Sequence, residues 1–114
     1  LTRLLGVART KELVFEGAQL TATQAADLGL VNAVVADDEV LSVAMARAEA
    51  LARGPQLALR AAKTAIDFGI DGSLAEGLDV EAEVFTELFD TEDAQTGIAS
   101  FFEHGPGKAT FSGR

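Results

Sequence analysis

The 114-residue sequence predicts a mainly α-helical chain with one or two short strands. Three observations carry that prediction. Apolar residues recur at helical spacing through most of the chain. Two pairs, Thr21 with Gln24 and Ser73 with Glu76, stand at the spacing of a capping box. Finally, a single stretch, Val31 to Val35, is β-branched enough to suit an extended segment.

In chain order, Leu1 to Leu5 reads as the end of one element and Val7 to Phe15 as a helix with Gly17 just beyond it. Thr21 opens a short helix in which Ala22, Ala25, Ala26 and Leu28 favour helical backbone, and Gly29 can take the left-handed conformation that ends it. Val31, Val34 and Val35 form the expected strand, stopped by Asp37 and Asp38. From Asp38 to about Arg53 an amphipathic helix places Leu41, Met45, Ala48 and Ala52 on one face. Gly54-Pro55 separates it from the next helix, Pro55 to Phe68, with Leu57, Leu59, Ala62 and Ile66 apolar. Residues 69–72 make a turn. Ser73 then caps a long helix to about Phe89, whose inner face is expected to be Leu74, Leu78, Ala82, Phe85 and Phe89, with Glu76, Asp79, Glu83 and Glu87 opposite. Thr91 caps a last helix from Glu92 to about Glu103, where Glu92 and Asp93 suit the positive end of the dipole. The Gly-Pro-Gly at 105–107 cannot stay helical.

Composition narrows the function classes. Hydrophobic residues make up 48% of the chain before its 11 glycines are counted, together above the usual ~45–50%. That surplus implies apolar faces needing a partner surface, although an Ala-rich helical protein would inflate the figure as well. The net charge of −9 argues against nucleic acid, whose phosphates call for clustered Lys and Arg. With no cysteine there is no disulfide framework and no thiolate metal site. No apolar run approaches membrane-spanning length and no signal peptide opens the chain, so no membrane association is expected and the cytoplasm is the expected compartment.

Residue types that carry chemistry are few. Glu83 and Glu87 sit at helical spacing opposite the Phe and Leu stripe, where solvent keeps them ionised and unfit for general acid-base work. His104 is the only histidine, with no second His or Cys to build a metal site, and neither a serine nucleophile elbow nor a glycine-rich phosphate loop is present. Phe85, Phe89, Phe101 and Phe102 supply flat apolar surfaces and Lys108 a mobile cation, the components that binding an adenine nucleotide would require. The same residues also fit a plainer reading, core aromatics and a solvated lysine.

Four collinear segments resemble the crotonase superfamily, the enoyl-CoA hydratases and isomerases. They are Leu1 to Leu13, similar to the segment after a GGTQR motif, and Leu20 to Val35 (LTATQAADLGLVNAVV). The third is Gly54-Pro55 with Ala61-Ala62-Lys63, similar to a P…A…AK helix. The fourth is Thr91-Glu92-Asp93, Gly97 and Phe101 followed by Phe111-Ser112-Gly113-Arg114, similar to a TED…G…F helix and a terminal F-x-G-R. The resemblance implies a crotonase-like α/β spiral followed by a helical C-terminal region. Residues 1–35 would then belong to the end of the spiral core, and 36–114 to the helical region that contacts coenzyme A and forms oligomers, a trimer or a dimer of trimers. It further implies a substrate that is an acyl-CoA thioester, no separate cofactor, an oxyanion hole of two backbone amides, and catalytic glutamates that precede Leu1. No residue here inherits a catalytic role.

The coenzyme A contacts that the resemblance implies are Phe85, Phe101 and Lys108. The tail Glu103-His104-Gly105-Pro106-Gly107-Lys108 is two residues longer than the family's EKRK pattern, which makes His104 the rival to Lys108. A reading of another class stands beside this one: a non-catalytic helical module for self-association or for a protein partner.

Overall fold

The computed structural model describes all 114 residues and contains six helices: α1 (Thr2–Glu16), α2 (Ala22–Asp27), α3 (Val40–Ala52), α4 (Gln56–Gly69), α5 (Leu74–Leu88) and α6 (Glu92–His104). The chain divides into two compact units, Leu1–Val43 and Ala44–Arg114.

In the first unit, α1 is interrupted at Gly6 (φ 75°, ψ 168°), so the expected separation of Leu1 to Leu5 from the helix beginning at Val7 is present as a break. Thr10 Oγ1 donates to the Gly6 carbonyl at the break over 2.8 Å. Both α1 and α2 end on a glycine in the left-handed region, Gly17 and Gly29. The following amide reaches back to Leu13 and Ala25 respectively, the Schellman closure that only a residue without a β-carbon enters freely. Thr21 and Gln24 form the expected capping box, with the Gln24 amide donating to Thr21 Oγ1 and the Thr21 amide to Gln24 Oε1.

Val31 to Val35 does not become a strand. The segment leaves α2 through bends and continues without regular structure. A strand is stabilised by pairing its amides and carbonyls with a neighbour, and these 114 residues contain no second extended segment to supply one. Valine content favours extended backbone but cannot create its partner.

The second unit is built on an antiparallel helical hairpin. Gln56 Nε2 donates to the carbonyls of Leu51, Ala52 and Gly54, closing the C-terminal end of α3 while its own backbone opens α4. Pro55 stands at the N-cap of α4 rather than inside its first turn. The four-residue connection from α4 ends at Ser73, which forms the second expected capping box with Glu76.

α4 presents Ala58, Ala61, Ala65 and Gly69 to α5, which answers with Gly77, Val80, Val84 and Leu88. Small residues on α4 allow the two backbones to approach closely, most of all where Gly69 meets Gly77. The expected inner face of α5 therefore lies about a third of a turn from the packed one. Leu74, Leu78, Phe85 and Phe89 flank the contact and remain 53–79% exposed. No hydrophobic residue in the whole chain is buried.

Candidate functional site

Phe85, Phe101 and Lys108, the candidate coenzyme A contacts, all lie in the second unit but line different hollows. Phe85 projects from the flank of α5 and stands edge-on to Phe89, ring centroids 5.1 Å apart. It borders a 350 Å³ groove over Ala58, Ala61, Ala62 and Ala65 of α4. It also borders a wholly apolar 330 Å³ hollow that extends to Ala94 and Ile98 of α6 and to Phe111.

Phe101 packs edge-on against Phe102 at 5.8 Å and lines a smaller hollow with Gly105, Pro106 and Gly107. Lys108 shares a third with Thr96, Ser100, Glu103, His104 and Thr110. That hollow brings together the two rival basic residues, His104 and Lys108, and adds the Glu103 carboxylate, whose Oε2 lies 3.8 Å from His104 Nδ1. None of these hollows is lined by two of the three candidate residues. Both aromatic side chains are exposed, Phe85 by 58% and Phe101 by 56%.

One polar group here escaped the sequence reading. Asp93 is the only buried polar or charged residue, 4% exposed, and both of its carboxylate oxygens are engaged. The Ser112 amide donates to Oδ1 over 2.7 Å and the Ser112 hydroxyl to the same oxygen over 3.2 Å, while the Gly113 amide donates to Oδ2 over 2.9 Å. In the reverse direction the Asp93 amide, one of the unpaired donors of the first turn of α6, reaches the Arg114 carbonyl over 2.9 Å.

The Ser112 amide is the main influence holding the Asp93 carboxyl below its ordinary value; burial opposes it, and the Gly113 amide and Ser112 hydroxyl reinforce it. The chain thus leaves α6 at Gly105, runs back along the helix and is tied at its start. Phe111 settles on Gly97 along the way, where an added β-carbon would lie 3.4 Å from the ring. Thr91 secures that end of α6 separately, accepting from the Ala94 amide and donating to the Leu88 carbonyl.

Asp93 was legible only as an acidic residue suited to a helix N-terminus. The available signal was that Thr91-Glu92-Asp93 and Phe111-Ser112-Gly113-Arg114 occur together in the resemblance, as parts that fit each other.

The family model described as Enoyl-CoA hydratase/isomerase matches residues 1–114. The short-chain-enoyl-CoA hydratase of Clostridioides difficile is 41% identical over 101 residues, covering 89% of this chain and 65% of that protein. Enoyl-CoA hydratase domain-containing protein 2, a mitochondrial protein of Bos taurus, is 44% identical over 107 residues, covering 90% of this chain and 36% of its own length.

Among solved structures, an enoyl-CoA hydratase subunit I from Geobacillus kaustophilus superposes with a TM-score of 0.90 at 38% identity, over 99% of this chain and 43% of that one. An enoyl-CoA hydratase from Bacillus anthracis superposes with a TM-score of 0.86 at 34% identity, again over 99% and 43%. The chain belongs to the enoyl-CoA hydratase/isomerase family of the crotonase superfamily. Its helices match the helical C-terminal region of that fold, and it spans less than two-thirds of the length of these relatives.

Proposed function

We propose that this chain serves an enzyme acting on 2-enoyl-CoA thioesters, by hydrating or shifting the double bond, and that its share of the work is to hold coenzyme A and to associate subunits. In this reading the glutamates and the two oxyanion-hole amides are supplied by polypeptide outside these 114 residues. No further cofactor is needed, because backbone amides aimed at the thioester oxygen stabilise the developing enolate. Phe85 and Phe101 offer faces to the adenine end of the coenzyme, and Lys108, with His104 beside it, offers positive charge to the phosphates.

The observation that carries the proposal is the match of the whole chain to a single enzyme family. Exposed aromatic faces support it, since a surface kept free of its own core is available to a ligand or a second subunit. Trimer formation through these apolar faces and placement in the cytoplasm belong to the same proposal. No helix is long and apolar enough to cross a membrane.

Calorimetric titration of the protein with coenzyme A tests the reading. Saturable binding that weakens on Phe85→Ala, Phe101→Ala or Lys108→Ala supports it. The second reading, a module that only self-associates, is favoured by the absence of any buried hydrophobic residue. A stable oligomer indifferent to coenzyme A in sedimentation and calorimetry would select that module instead.

A further inference from the structure

The hydrogen bonds of this chain's tail converge on one residue. Residues 105–114 form no helix or strand, and every hydrogen bond that holds residues 109–114 runs to Asp93. Two apolar contacts accompany them, Phe111 on Gly97 and the Gly113 backbone beside the Gln56 side chain at the start of α4. Lys108 lies between the glycine turn that ends α6 and this anchor. The hollow it shares with His104 has α6 as one wall and the returning residues Ala109 and Thr110 as the other. Ala109 and Thr110 thus join the glycine turn to the anchored residues 112–114.

We infer that Asp93 is a positioning residue: by clamping residues 112–114 to the start of α6 it fixes where Lys108 presents its ammonium group to coenzyme A. The inference rests on the coenzyme A reading of Lys108. It follows from which atoms are engaged. The Ser112 and Gly113 amides need two acceptors, and the two carboxylate oxygens of Asp93 supply them. Asp93→Asn keeps the shape but turns one acceptor into an amino group facing the Gly113 N–H, so donor meets donor inside a buried site. Ser112→Pro breaks the same clamp from the other side by deleting the N–H that gives the shortest of its bonds, leaving Asp93 untouched.

The test measures coenzyme A affinity by calorimetry in the full-length protein, together with amide exchange at Ser112 and Gly113. Wild type is compared with Asp93→Asn, Ser112→Pro, Lys108→Ala and the double variant Asp93→Asn/Lys108→Ala. Asp93→Asn and Lys108→Ala are each expected to weaken binding about tenfold. The double variant is expected to bind no worse than Lys108→Ala alone, because Asp93 acts through the lysine. Amide exchange should accelerate in Asp93→Asn and not in Lys108→Ala. Ser112→Pro should reproduce the affinity loss, and it carries the test alone if Asp93→Asn fails to fold.

If the clamp variants loosen the tail yet bind coenzyme A as wild type does while Lys108→Ala binds weakly, the positioning role is wrong and the coenzyme A reading survives. Effects that multiply in the double variant also overturn the role, since Asp93 would then act by another route. An unchanged affinity in Lys108→Ala removes the cation from the coenzyme A site and takes the inference with it.

Discussion

Gly77 faces Gly69 across the α4–α5 hairpin so closely that a β-carbon on Gly77 would come within 3.1 Å of the Gly69 α-carbon, whereas one on Gly69 would stay 3.9 Å from Gly77. The relationship is lopsided, and so is its consequence. Gly77→Ala gains about 1 kcal/mol of helix propensity, but it must push the helices apart, an overpacking that costs roughly 1–3 kcal/mol. The expected outcome is a net loss of stability for Gly77→Ala and none for Gly69→Ala, read as the difference in denaturation midpoint between the two variants.

The caps offer a cleaner energetic test because they are local. Ser73 Oγ accepts from the Glu76 amide, and its own amide is satisfied by the Glu76 carboxylate. Ser73→Ala should destabilise the second unit by about 1 kcal/mol and Ser73→Gly by only a few tenths. Urea denaturation followed by circular dichroism measures both, and an unchanged stability in Ser73→Ala would show that the hydroxyl is not what holds this helix end.

Acid should release the tail. The folded carboxyl of Asp93 lies below its ordinary value of 3.8, chiefly through the Ser112 amide, so the ionised form is the one that folding favours. Its contribution is present in full above the ordinary value and is lost as pH falls through the lower, folded one. Glu76 behaves alike through the Ser73 hydroxyl first and the Ser73 amide second. Stability measured from pH 7 downward should therefore stay level in this respect until about pH 4 and then fall. The fall should be shallower in Asp93→Asn, and an identical slope in both proteins would contradict the assignment.

Open apolar faces predict association. Leu74 is 79% and Phe102 82% exposed, and neither takes part in the packed α4–α5 contact. Leu74→Ser and Phe102→Ser should lower the sedimentation-average mass at a given concentration while leaving helicity unchanged. A mass unaffected by either change would contradict association through these faces.

What the residues disclosed in advance was whatever depends on near neighbours. Thr21 with Gln24, Ser73 with Glu76 and Thr91 are caps because a hydroxyl three residues from an amide is sufficient, and all three form. The strand at Val31 to Val35 failed because a strand needs a partner, and none of these residues forms one. The packed face of α5 was displaced because hydrophobic periodicity weighs side-chain size, which points to Leu74, Leu78, Phe85 and Phe89. The hairpin instead selects the flat row of Gly77, Val80, Val84 and Leu88, whose backbone can reach the alanines of α4. The large residues stay exposed beside it. Asp93 joins Ser112 across nineteen positions, and no spacing rule covers such a distance.

Kinetics of the full-length enzyme with crotonyl-CoA address the claim on which the rest depends, that these helices grip the coenzyme while other polypeptide performs the reaction. Phe101→Ala should raise the KM for the thioester about tenfold, the usual order for an aromatic anchor lost from a binding surface. A KM equal to that of the wild type, measured on a variant with unchanged helicity, would contradict it.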